Sequence, residues 1–128
     1  MKNIFRSFIL ILLLHFISCS NKSNQELILG TWNVTSFKEN NIERFNQLFT
    51  KYTWTFNNLQ QVILFIRYPD NATDTFTTTY QITEEHLTFQ GVQFHIDELT
   101  DSSLKVQGTF VDNETNESYF LDVKLIKE

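Results

Sequence analysis

Cysteine, proline and glycine are all but missing from this chain, which has one, one and three of them in 128 residues. A single cysteine excludes an internal disulfide and any zinc site built on several thiolates. So little glycine leaves no loop of the kind that cradles phosphates, and no Gly-x-Ser-x-Gly elbow is present to expose a nucleophilic serine. Positive charge is also short. Ten Lys and Arg stand against fifteen Asp and Glu, for a net charge of −5. No basic run interleaved with aromatics occurs, so a nucleic acid is not an expected partner. What the chain has is apolar material: 41% hydrophobic residues and thirteen Phe, enough to fill the core of one domain.

The first residues stand apart. Lys2 and Arg6 precede an apolar run over residues 8–14, followed by His15, Phe16, Ile17 and Ser18, the layout of a secretory signal. The run is too short to span a bilayer, which takes about 20 apolar residues. Phe16-Ile17-Ser18-Cys19 resembles the bacterial lipobox, with Phe where Leu is usual. The resemblance implies cleavage before Cys19 and a diacylglyceryl group on its thiol. The other readings are a secreted protein with an incidental free cysteine and an uncleaved anchor. Acyl chains would hold the protein firmly, at about 0.8 kcal/mol per buried methylene. Residues 20–25 form a polar spacer without the acidic run that resembles the surface-export signal of Bacteroidota lipoproteins. The expected organisation is a signal peptide at 1–18, a tether at 19–26 and one domain at 27–128. The expected place is the cell envelope, anchored to the outer membrane and facing the periplasm.

Beyond the tether the chain alternates large apolar and polar residues, the period of a strand. Such runs fall at about 30–38, 52–56, 61–68, 75–82, 87–90, 92–96, 104–110 and 118–126. Between the first two, Ile42, Phe45, Leu48 and Phe49 follow helical spacing, with Asn40 or Asn41 placed to cap a short helix. That helix either plugs one end as core or acts as a lid. Strand 61–68 is apolar on both faces, so its outer strip needs cover, from the 42–49 helix or from a protein partner. Almost every link is hairpin-short, which pairs neighbours in sequence order. The expected fold is therefore all-β, an eight-stranded antiparallel up-and-down barrel with a short helix after its first strand. A β-sandwich is the alternative.

Leu29-Gly30-Thr31-Trp32 opens the first strand, where glycine permits a tight entry and the indole can plug the barrel floor. This Gly-x-Trp, with a meander behind it, resembles the lipocalin-like (calycin) barrels, including the small lipocalin-like lipoproteins of Bacteroidota. The resemblance implies a binding protein, and it implies a basic residue near the last strand packed over Trp32. Lys124 is the candidate, although alternation turns it outward. Trp32, Trp54, Phe56, Leu64, Phe76, Tyr80, Phe89, Phe94, Phe110 and Tyr119 are read as inward-facing. Only Ser36, Thr78 and Gly108 are small among the inward positions and could leave space.

If a cavity exists, Trp32, Trp54, Phe56, Thr78, Tyr80, Phe94 and Tyr119 are the expected ligand-binding residues. They would hold a small apolar molecule oriented by one or two hydroxyls. The alternative is a filled barrel acting through its surface as an inhibitor, immunity factor or envelope-complex subunit. No enzyme is expected, and no cofactor or metal. His95 with Asp97, and Glu84, Glu85 and His86, read as solvated groups rather than a catalytic or metal site. The lipobox reading predicts that Cys19→Ser moves the protein from the membrane to the soluble fraction of cells and abolishes its labelling by radioactive palmitate.

Overall fold

Alternating side chains leave the two faces of each strand chemically unlike, and the chain buries the apolar face by curling one sheet into a barrel. The structure, a computed structural model, describes residues 21–128. The leader and Cys19 lie outside the described residues. The elements are α1 (Asn24–Leu27), β1 (Gly30–Glu39), β2 (Ile42–Glu43), α2 (Phe45–Leu48), β3 (Lys51–Phe56), β4 (Gln61–Arg67), β5 (Thr73–Thr79), β6 (Gln81–Ile82), β7 (His86–Phe89), β8 (Val92–Leu99), β9 (Ser103–Val111) and β10 (Ser118–Lys127). They form one sheet in the order β5-β4-β3-β1-β10-β9-β8-β7-β6, with β2 added to β1. All its pairings are antiparallel. First and last strands pair, as an up-and-down barrel requires and a sandwich does not.

The two ends of that order, β5 and β6, are consecutive in the chain. The expected strand 75–82 breaks at Tyr80. Its first part pairs with β4, its second with β7, and the Tyr80 N–H still donates to the Gln60 carbonyl (3.0 Å). The barrel thus closes through one segment that changes partner. Only two residue pairs join β6 to β7, so the wall is thinnest beside β5. This break and the added β2 turn eight expected strands into ten.

The stretch read as a helix over 42–49 is divided. Asn40 and Asn41, at φ 50° and 67°, make the two-residue turn of the β1–β2 hairpin instead of capping a helix, and only Phe45–Leu48 is helical. Gln90 and Gly91 (φ 51° and 74°) turn β7 into β8 in the same way. At Thr35 the register of β1 against β10 slips by one residue. Phe37 therefore packs on the core while Ser36 bonds to Glu43, the reverse of strict alternation. Ser23 caps α1 through its hydroxyl on the Glu26 N–H, and Ile28 is already fully buried.

The outer strip of β4 is not covered by the helix. Ile63 and Phe65 are half-buried among paired threonines of β3 and β5, and the Arg67 guanidinium lies 5.8 Å over the Phe65 ring.

The closed end is built around Trp32. Its indole is fully buried and donates to the Ile28 carbonyl (2.8 Å), which draws α1 across the floor. The basic residue over the ring is Lys127, 5.3 Å from its centre, with Nζ also donating to the Leu27 carbonyl at 3.4 Å. Lys124, the sequence candidate, sits three residues earlier with its side chain exposed. Gly30 has φ 120°, and a Cβ there would stand 2.8 Å from Lys127 Cε. Gly30→Ala is therefore expected to cost about 2 kcal/mol and lower the melting temperature by roughly 10 °C. Gly91→Asn, at a left-handed turn with open space, should melt within a few degrees of the parent, both measured by circular dichroism.

Candidate functional site

Burial along the inward faces is graded from one end of the barrel to the other. Paired residues share a face, so Phe76 points inward with Leu64, and Tyr119 with Phe110. Toward the floor, Val62, Leu104, Val106, Val123 and Leu125 are sealed. Toward the end that carries the β1–β3, β4–β5 and β9–β10 links, Phe37, Tyr52, Ile66 and Leu121 are half-buried. Phe76 and Phe110 there are 45% and 41% exposed. Inward-facing apolar surface is thus sealed below and accessible above, the arrangement of an aromatic cup.

Five of the seven residues named from sequence meet in the sealed part. Trp32 pairs with Trp54 across β1 and β3. The Trp54 ring packs edge-on to Phe89 (5.0 Å) and Phe56 (6.4 Å) and lies 5.8 Å from Phe94. Tyr80 stands edge-on to Phe56 at 4.9 Å. Trp54 forms the boundary, because Tyr52, next inward on its strand, already meets the open cup. The remaining two lie away from this cluster. Thr78 is half-exposed opposite Val62, and Tyr119 stacks on Phe110 near the rim (6.4 Å, 26°).

The hydroxyls expected to orient a ligand are largely engaged. Tyr80 donates to the Asn57 carbonyl (3.0 Å), and burial raises its pKa. Tyr119 donates to the Glu117 carboxylate (2.6 Å), which raises the pKa of the phenol. Nor do the small positions cluster. Gly108 lets β8 approach, since a Cβ there would meet Phe94 Cδ1 at 2.9 Å and Val92 Cγ1 at 3.0 Å, so its space is filled.

The cup's rim on the β1–β3 side is held by Glu43, which the sequence reading did not single out. Its carboxylate accepts from Ser36 Oγ (2.5 Å) and from the backbone N–H groups of Phe37 (2.9 Å), Arg44 (3.1 Å) and Phe45 (3.3 Å). The Phe45 N–H is otherwise free at the start of α2, where Arg44 offers no side-chain cap, while the Arg44 N–H is shared with the Phe37 carbonyl (2.8 Å). Burial works to raise the Glu43 pKa, but these four hydrogen bonds outweigh it and hold the carboxyl below its ordinary value of 4.5. The clasp seats Phe45 and Phe49 beside the cup, with Phe49 5.4 Å from Phe37 and 4.8 Å from Tyr52.

His86 and His95 pair across β7 and β8, their rings 5.8 Å apart, and His95 is exposed 3.8 Å from Asp97. Among the described residues no cluster of three or more metal-ligating side chains occurs. A cleft of about 550 Å³ lies at the closed end, between α1, the β3–β4 turn and β6.

Residues 28–106 match the family described as a lipocalin-like domain. Bovine odorant-binding protein in complex with its natural ligand superposes at a TM-score of 0.57 and 13% identity, over 85% of this chain and 76% of that one. The same protein with undecanal gives 0.57 and 14%, with the same coverage. A lipocalin-like protein from Bacteroides uniformis gives 0.51 and 12%, over 80% of this chain and 99% of that one. At such identities the likeness is one of fold. No curated protein matches the sequence.

The Glu43 clasp has a definite pH signature. A carboxyl whose pKa is lower in the folded protein stabilises it above the unfolded pKa, and the contribution is lost as pH falls through the folded one. Glu43→Gln should therefore destabilise the protein by about 1 kcal/mol near neutral pH, discounting for exposure, and the gap should close once acid pH has protonated the carboxyl. Urea titrations at neutral and acid pH check this, and amide exchange of Phe37, Arg44 and Phe45 should quicken in the variant at neutral pH only.

Proposed function

The chain belongs to the family of lipocalin-like domains, and on that premise we propose that it is a membrane-anchored lipoprotein whose barrel takes up a small apolar molecule in the aromatic cup. The observation that carries this reading is the burial gradient. Inward rings on neighbouring strands are sealed near Trp32 and accessible at Phe76 and Phe110, so apolar surface faces an opening where a ligand would cover it. The bound molecule would lie against Phe37, Tyr52, Phe76, Phe110 and Leu121, with Trp54 and Phe94 beneath it. Trp32, Phe56 and Tyr80 then belong to the floor that keeps the cup rigid. Thr78 and Tyr119 would edge the mouth.

Anchoring through Cys19 would set the domain at the periplasmic side of the outer membrane, where a carrier of apolar molecules has a source and a sink for them in the bilayer itself. Bovine odorant-binding protein, of like fold, has been crystallised with undecanal, which gives a starting chain length for a search. A partner docked on β4 has less support, because the Arg67 guanidinium already lies over Phe65.

A thermal-shift panel of medium-chain apolar compounds tests the reading. A ligand at a hundred times its Kd adds about 2.7 kcal/mol, a rise in melting temperature of roughly 10 °C. Phe110→Asp, at an already exposed position, should abolish the shift while leaving the unliganded melting point within a few degrees. If no compound in the panel raises the melting temperature, the cup is not a ligand site.

A further inference from the structure

The two tryptophans pair across adjacent strands, yet their polar atoms are treated oppositely. Trp32 Nε1 donates to the Ile28 carbonyl at 2.8 Å. Trp54 is 1% exposed, and its Nε1 has no hydrogen-bond partner; among the described residues it is the one buried side-chain nitrogen or oxygen left so. A buried donor without an acceptor is costly, and native proteins keep few of them without a use. The nearby Tyr52 phenol does not close the bond. Burial raises its pKa and the Trp54 N–H lies close enough to the phenol oxygen to work against that rise, but the pair falls short of hydrogen-bond geometry. Trp54 stands at the base of the cup, where the wall changes from sealed to half-buried.

We infer that Trp54 Nε1 is the polar anchor of the cup, and that the ligand class is a neutral apolar molecule carrying one hydrogen-bond acceptor, such as an aldehyde, ketone or ester. This rests on the ligand reading above and narrows it. The charges around the interior decide against an acid. Lys127 lies at the floor, over Trp32 and on the Leu27 carbonyl, and Arg67 lies over Phe65 on the outside. At the mouth the carboxylates of Glu39 and Glu117 both act on Tyr119. The rim cation, Arg44, is engaged by Gln47 Oε1 (2.7 Å), so a ligand carboxylate would be desolvated near like charge with the cations occupied elsewhere. A carbonyl oxygen needs only the single N–H, and the bond it forms removes an existing penalty.

The test uses the domain with uniformly labelled tryptophan and three ligands of one chain length: decanal, decane and decanoate. Affinities are read by displacement of a neutral naphthylamine dye. Decanal should bind about tenfold more tightly than decane, and decanoate more weakly than decanal. In proton–nitrogen correlation spectra decanal should move the Trp54 indole peak downfield, while the Trp32 peak, already bonded, stays in place. Trp54→Phe should remove the advantage of decanal over decane. The spectra of the parent protein keep the test decisive if that variant folds poorly. Equal binding of decanal and decane with an unmoved Trp54 peak would overturn the inference and leave the ligand reading standing. Tighter binding of decanoate than of decanal would also overturn it, and failure of all three to displace the dye would remove both.

Discussion

Every part of this barrel refers back to the sealing of Trp32. Its ring is the largest surface the floor must bury, and its N–H, removed from water, must find an acceptor. The Ile28 carbonyl supplies one, which brings α1 across the end of the sheet. Lys127 covers the ring from the last strand, so one side chain ties together the N-terminal turn, β1 and β10. Gly30 lets these three meet, because only a residue without Cβ tolerates both its φ and the nearness of Lys127. A barrel so closed below can remain open above without exposing its hydrogen-bonded core.

The upper half follows a different rule. Packing there is interrupted, by the Thr35 bulge and by the brevity of β7. Each interruption gives up ladder hydrogen bonds and leaves aromatic surface facing an opening. The Glu43 carboxylate offsets part of the loss by gathering four donors at the β1–β3 link. Accessible apolar surface in this fold comes from incomplete packing. Trp54 lies between the two regimes, with its ring sealed and its N–H unmet.

Much of this was legible before any coordinates. The period of two over successive short runs, with hairpin links, specified an all-β meander, and the Gly-x-Trp at 30–32 specified which end would be closed. The buried set Trp32, Trp54, Phe56, Tyr80 and Phe94 followed from alternation. Where local regularity failed, reading by period failed with it. One extra residue at Thr35 exchanged the faces of Ser36 and Phe37. Asn40 and Asn41 suited a helix cap and a left-handed turn equally, and pairing of Glu39 with Ile42 chose the turn. Position near the last strand pointed to Lys124, and only the closed fold brings Lys127 over the ring.

What the chain alone determined is which residues are apolar, with what period and between which turns, since these depend on neighbours in sequence and on the geometry of a strand. That was enough for the fold and for the aromatic character of its interior. Tertiary structure decided which apolar residues are sealed and which face an opening, which polar atoms find partners, and which lysine covers the floor tryptophan. Those outcomes depend on strands distant in sequence coming together. Neither the unmet N–H of Trp54 nor the four-donor clasp of Glu43 exists until they do.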